Sequence, residues 1–159
     1  MPVNVFLYAP EYRPNLSNMV RSAEFFGLKT IFIYDKNGLL KKPESKNQRA
    51  DYEHMVRVWT AGAVDHINVE VIDDVQVFFR EYVGRKIATI VDERGEKLAE
   101  FNFKPNDLII MGPEKEGLPH SIRVLCEKKV HLPNIGETDC LNVSVMLGIT
   151  LYAAQNQTR

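Results

Sequence analysis

Cysteine is scarce. Cys126 and Cys140 are the two in 159 residues, and no C-x-x-C pair occurs. That excludes a disulfide-stapled scaffold and a thiolate zinc site, and makes a reducing cytoplasm the expected setting. The four histidines, at positions 54, 66, 120 and 131, are scattered without an H-E-x-x-H pattern, so no metal is expected. No apolar run nears the ~18 residues that a membrane span needs. The opening "MPVNVFLYAP" has neither a basic leader nor a small-residue cleavage site, which argues against a signal peptide. Net charge is also missing: a formal value of −1 argues against bulk electrostatic binding of nucleic acid while leaving a local basic groove open.

Several cofactor signatures are absent too. The stretch after the first apolar run, "YAPEYRPNLSN", contains no glycine, so it cannot be the G-x-G-x-x-G turn of a dinucleotide fold. Gly112 and Gly117 have the spacing of a phosphate loop, but Leu118-Pro119 stands where Lys-Ser or Lys-Thr would meet phosphate and magnesium. There is no G-x-S-x-G for acyl hydrolysis.

What is present is ordinary globular composition, 45% hydrophobic and 26% charged, over a length suited to a single domain spanning 1–159. Short β-branched runs alternate with helical spacing. Strands are expected at Val3–Tyr8, Thr30–Tyr34, Ile67–Ile72, Lys86–Val91, Asp107–Met111 and Lys129–Leu132. Helices are expected at Asn15–Phe26, Ala50–Ala61, from Asp73 or Asp74 to Tyr82, Pro119–Cys126 and Leu141–Gln155, with 35–50 as loop. This is an α/β pattern with a mostly parallel sheet flanked by helices. In such sheets ligands bind beyond the carboxyl ends of the strands. The segments there are "APEYRPNLSN", "VDERGE", "GPEKEGLP" and "PNIGETDCLN".

Three of these stretches carry polar side chains at suggestive positions, each with an ordinary explanation beside it. Asn15, Asn18 and Arg21 fall in steps of three on one helix face, where asparagine is also a good cap and arginine is usually solvated. Glu114 follows Gly112-Pro113, where it would also favour the dipole of the next helix. Asn142 and Ser144 open the last helix, as capping residues do. That helix is apolar on two sides: Val143, Met146, Leu147, Thr150, Leu151 and Ala154 on one, Val145, Ile149 and Tyr152 on the other. A second apolar face suggests a partner chain.

Taken together and in this order, "NLSNMVR" (15–21), "GPEKEGL" (112–118) and "LNVSV" (141–145) resemble the three motifs of the SpoU/TrmH family of RNA ribose methyltransferases, within the SPOUT superfamily. The resemblance spans nearly the whole chain, leaves no room for an added RNA-binding domain, and is greatest to the compact members that act on tRNA. It implies an α/β fold with a C-terminal trefoil knot, an exception to the rule that chains avoid knots. It implies S-adenosylmethionine as cofactor and a homodimer formed through the first and last helices. It implies RNA as substrate, tRNA before rRNA. The alternatives are an rRNA enzyme, an inactive RNA-binding protein on the same fold, and a small-molecule enzyme with a nucleotide cofactor.

Residue by residue, the resemblance places Arg21, Asn15, Glu114, Asn142 and Ser144 in the catalytic site. Gly112, Leu132, Leu141, Ile90 and Cys140 fall at the cofactor. Gly112 would let the backbone approach the cofactor closely. Cys140 stands where relatives often have serine, and a thiol is the weaker hydrogen-bond donor. The implied reaction is in-line attack of a ribose 2′-oxygen on a sulfonium methyl, without a metal. Relatives assign proton acceptance to Arg21. A free guanidinium keeps its proton in neutral water, which leaves stabilisation of the developing oxyanion as the other role.

Overall fold

The computed structural model describes residues 3–92 and 94–157. Glu93, within the "VDERGE" segment, and Met1-Pro2 at the start lie outside the described residues. The strands are β1 (Asn4–Tyr8), β2 (Thr30–Tyr34), β3 (Asn68–Val71), β4 (Lys86–Thr89), β5 (Glu96–Lys97), β6 (Leu108–Met111) and β7 (Lys128–His131). The helices are α1 (Arg13–Phe25), α2 (Lys46–Trp59), α3 (Val75–Glu81), α4 (His120–Arg123) and α5 (Val143–Asn156), with one 3-10 turn at Ala63–Asp65.

The strands form one sheet in the order β3-β2-β1-β6-β4-β7-β5, and every pairing is parallel. Parallel sheets are covered on both faces, so their central strands read as unbroken apolar runs. Leu108–Met111 is the clearest case, buried throughout. Alternation then divides the core into two layers. Val5, Leu7, Ile31, Ile87, Ile109 and Val130 face α1 and α5, which bring Leu16, Met19, Val20, Ala23, Leu147 and Leu151. Phe6, Ala88, Leu108 and Ile110 face α3 and α4, which bring Val75, Phe79 and Ile122. At ~25 cal/mol per Å² these two apolar layers supply the main driving force for folding.

The strand order runs outward in both directions from the β1–β6 pair. In an open parallel sheet such a reversal leaves a crevice between the diverging connections. The loops after β1, β4, β6 and β7 all open there.

Most elements lie within one or two residues of the sequence expectation, and four of the differences are instructive. Helix α1 starts at Arg13 rather than Asn15, because Pro14 suits the first turn, where an N–H has no partner to lose. Helix α2 starts at Lys46 rather than Ala50, so the polar loop ends at 45; its first turn, Lys46 to Arg49, is wholly polar and carries no apolar residue to mark the start in sequence. Helix α4 ends at Arg123, three residues short of Cys126. Strand β5 was not expected at all: Glu96 and Lys97 are both exposed at the sheet edge and carry no alternating pattern.

Candidate active site

The turn out of β1 is unusual. Ala9 has φ 50°, a left-handed conformation that a side chain disfavours by about 1–2 kcal/mol. Asn37 pins that turn by donating its amide to the carbonyls of Ala9 (3.3 Å) and Pro10 (2.9 Å). The effect is to aim Glu11 and Tyr12 at the loop after β6.

Glu114 receives them. Its carboxylate accepts the Glu11 N–H at 2.8 Å, the Tyr12 N–H at 3.3 Å and the Asn15 side-chain amide at 3.1 Å. Lys115 returns the contact, its N–H donating to the Glu11 carboxylate at 3.0 Å. Asn15 in turn accepts, at 3.1 Å, from the side-chain amide of Asn142. Residues separated by 99 and 127 positions in the chain thus meet in one network.

This settles two of the ordinary explanations. Asn15 does not cap α1; Tyr12 holds that position, without a side-chain bond, and leaves the Asn15 amide free for Glu114. Asn142 does cap α5, accepting from the Ser144 N–H at 2.9 Å and the Ser144 hydroxyl at 2.7 Å. Its amide nitrogen remains available to Asn15, so capping and site-building use opposite ends of one side chain. Ser144 acts through Asn142 and is not among the residues lining the cleft.

The cleft itself has a volume of about 560 Å³. Asn15, Ile90, Gly112, Glu114, Leu132, Cys140, Leu141 and Asn142 all line it, so eight of the ten residues singled out in the sequence converge on one space. Its apolar lining includes Ile90, Val91, Leu132, Leu141 and Met146. Around this, the carboxylates Asp92, Glu114, Glu116 and Asp139 outnumber the cations Lys115 and Arg123. The chemistry of this lining suits a ligand with an aromatic body and a positive centre. S-adenosylmethionine, with its adenine and sulfonium, meets both conditions. Among the described residues no group of three His, Cys, Asp or Glu could hold a metal.

Gly112 is needed for a reason the sequence did not reveal. A Cβ there would lie 2.5 Å from the Leu118 nitrogen and 2.7 Å from the Gly117 carbonyl carbon. The loop folds back on itself there, with Gly117 in the left-handed region at φ 65°.

Arg21 stands apart. It is exposed on α1, does not line the cleft, and makes no side-chain hydrogen bond or ion pair among the described residues. Six residues beyond Asn15, it sits ~9 Å further along the helix at 1.5 Å per residue.

Sequence reasoning missed Tyr12, Asp92, Lys115 and Arg123, which also line the cleft. Asp92 had a faint signal, since it lies at a strand end. Two hydrogen bonds from the Arg94 guanidinium hold its carboxyl down at about 2, aided by the Arg94 N–H and by Arg123, 3.7 Å away. Arg123 sits on α4, where nothing local marks it as a site residue; its Nε is buried without a partner.

Known proteins resemble this chain in sequence and fold. Residues 2–152 match the model of the SpoU rRNA methylase family. A tRNA (cytidine(34)-2′-O)-methyltransferase from Methylovorus glucosotrophus is 24% identical over 97% of this chain and 94% of its own length. The 23S rRNA (guanosine-2′-O-)-methyltransferase RlmB of Acinetobacter baylyi is 27% identical over 90% of this chain, which spans only 55% of that protein. Among solved structures, the A. aeolicus TrmH/SpoU tRNA modifying enzyme superimposes with a TM-score of 0.80 at 26% identity, covering 98% of this chain and 75% of the other. A structure described as giving insight into the 2-OH methylation of C/U34 on tRNA reaches 0.76 at 26% identity, with 98% and 89% covered.

Proposed function

The chain belongs to the SpoU rRNA methylase family, and on that premise we infer that it transfers a methyl group from S-adenosylmethionine to a ribose 2′-hydroxyl of RNA, in tRNA before rRNA, in the cytoplasm. The observation that carries this reading is the bonded network of Asn15, Glu114 and Asn142, one residue from each family motif, at the mouth of the cleft.

The cofactor supplies an electrophilic methyl on a sulfonium centre. Ile90, Leu132, Leu141 and Cys140 would hold it, with Gly112 shaping the loop. The chain's own work is orientation. Glu114 fixes the β1 turn and Asn15; Asn142, held by Ser144, fixes Asn15 from the other side. A rigid constellation of this kind lowers the barrier by holding reactants in line, without metal or covalent chemistry. Arg21 would stabilise charge on the 2′-oxygen or accept its proton.

A homodimer explains how Arg21 takes part. Phe25, one turn from Arg21 on the same side of α1, is 79% exposed; on α5, Val145, Ile149 and Tyr152 are exposed as well. A second copy covering these apolar residues would bury that face, bring Arg21 into the interface and offer it to the partner's cleft. The trefoil knot of the family belongs to the same reading.

Preference for tRNA is supported by the match to the tRNA (cytidine(34)-2′-O)-methyltransferase, which aligns with 97% of this chain over 94% of its own length. Incubation with methyl-labelled cofactor and separate unmodified tRNA and rRNA pools tests it. Label entering tRNA supports the reading; label entering only rRNA moves the substrate; label entering neither removes the activity.

A further inference from the structure

Most tyrosines in this chain are used for packing or for a hydroxyl hydrogen bond to another part of the fold. Tyr8 and Tyr34 pack ring to ring at 5.3 Å. Tyr82 accepts from Asn4 and donates to the Asn106 carbonyl, and Tyr52 donates to the Leu39 carbonyl. Tyr12 is placed differently, with Lys115 as its side-chain neighbour. Its ring is 45% exposed at the rim of the cleft, with the Lys115 ammonium 5.7 Å from its centroid. Yet its backbone is among the most firmly held at the site. Its N–H is bonded to Glu114, its neighbour Glu11 is bonded twice to the same loop, and Pro14 restricts the helix start that follows. An aromatic side chain is thus held out into solvent from a fixed backbone, three residues before Asn15.

Resting on the ribose-methylation reading, we propose that Tyr12 is the stacking platform for the base of the target nucleotide, whose ribose enters the cleft beside Asn15, Glu114 and Asn142. A ribose reaches the bottom of a cleft only when its nucleotide leaves the stack of its neighbours. RNA-recognition sites restore that lost stacking with exposed aromatic rings, which accept any base because every base has a π-face. Tyr12 is placed for this: it lines the same cleft and is tied to the same carboxylate that orients Asn15. The Lys115 ammonium beside the ring adds positive charge where the adjoining phosphate would pass. Tyr12 touches the base and takes no part in moving the methyl group, so it sets RNA affinity and positioning.

The test uses the full-length protein with unmodified tRNA transcripts and S-adenosylmethionine, comparing wild type with Tyr12→Phe, Tyr12→Leu and Tyr12→Ala. Binding of S-adenosylhomocysteine is measured in parallel. Loss of one base–aromatic stack, about 1–3 kcal/mol, corresponds to roughly a 5- to 150-fold rise in KM for RNA. Tyr12→Ala and Tyr12→Leu should show that rise, Tyr12→Phe should match wild type, and S-adenosylhomocysteine affinity should be unchanged in all three. Rescue by Tyr12→Leu, which restores apolar bulk without a π-face, would overturn the proposal. So would a wild-type KM in Tyr12→Ala, or a loss of S-adenosylhomocysteine binding. If wild type methylates no RNA pool, the functional reading fails, and the proposal with it. If wild type methylates RNA and Tyr12→Ala does so equally well, only the stacking role fails.

Discussion

Glu114 is where residue chemistry and site geometry meet. A carboxylate accepts several N–H bonds at once, and here it accepts from Glu11, Tyr12 and Asn15. Arg21 makes the opposite case, with no side-chain hydrogen bond or ion pair among the described residues. If it stabilises the 2′-oxygen as charge develops, its loss should lower the rate far more than cofactor binding. Arg21→Ala should therefore bind S-adenosylhomocysteine normally and lose about a hundred- to a thousandfold in single-turnover rate, the usual cost of one well-placed donor. A solvated helix arginine would change neither. The two cysteines offer a second residue-scale prediction. Burial pushes the Cys126 thiol up to about 12, and it donates to the Ile122 carbonyl. Cys140 is exposed and lines the cleft. Alkylation at neutral pH, read by mass spectrometry, should modify Cys140 alone, and S-adenosylhomocysteine should protect it. Modification of Cys126 first, or no protection, would contradict the assignment.

At the scale of elements, the loop after β6 is the part most sensitive to a small change. Adding a methyl group at Gly112 forces the Gly117–Leu118 backbone to move, because the clash is with main-chain atoms. Gly112→Ala should lose S-adenosylhomocysteine binding in calorimetry and lower the midpoint of thermal unfolding. Helix α5 carries the other element-scale prediction. Ile149 is 36% exposed on a helix whose opposite side holds Leu147 and Leu151 fully buried. Ile149→Asp should leave the core intact and convert a dimer to a monomer in sedimentation, with methyl transfer lost alongside. A monomeric wild type of full activity would refute the dimer. Much of this scale was legible in the sequence. The runs Thr30–Tyr34 and Leu108–Met111 were placed to the residue or within one residue, since a buried parallel strand advertises itself by unbroken β-branched and apolar residues. Strand β5 was not, because a two-residue exposed edge strand has nothing to bury, and its existence depends on β7 alongside it.

For the molecule as a whole, the three motif segments were legible, but the bonds between them were not. Spacing placed Asn15, Glu114 and Asn142 at loop ends; only the fold brings residues 99 and 127 positions apart into contact. The same limit hid Arg123, whose position on a short helix says nothing about a cleft built by four distant loops. It also hid a second reason for Gly112, since a Cβ there would clash with the backbone of the neighbouring turn. The central claim is ribose methylation, and it is tested by where the methyl group lands. RNA methylated by the wild-type protein with labelled S-adenosylmethionine is hydrolysed in alkali, which cleaves only beside a free 2′-hydroxyl. The account predicts label in alkali-stable dinucleotides. Label in mononucleotides, where a base has been methylated, or no label in any RNA, would contradict it.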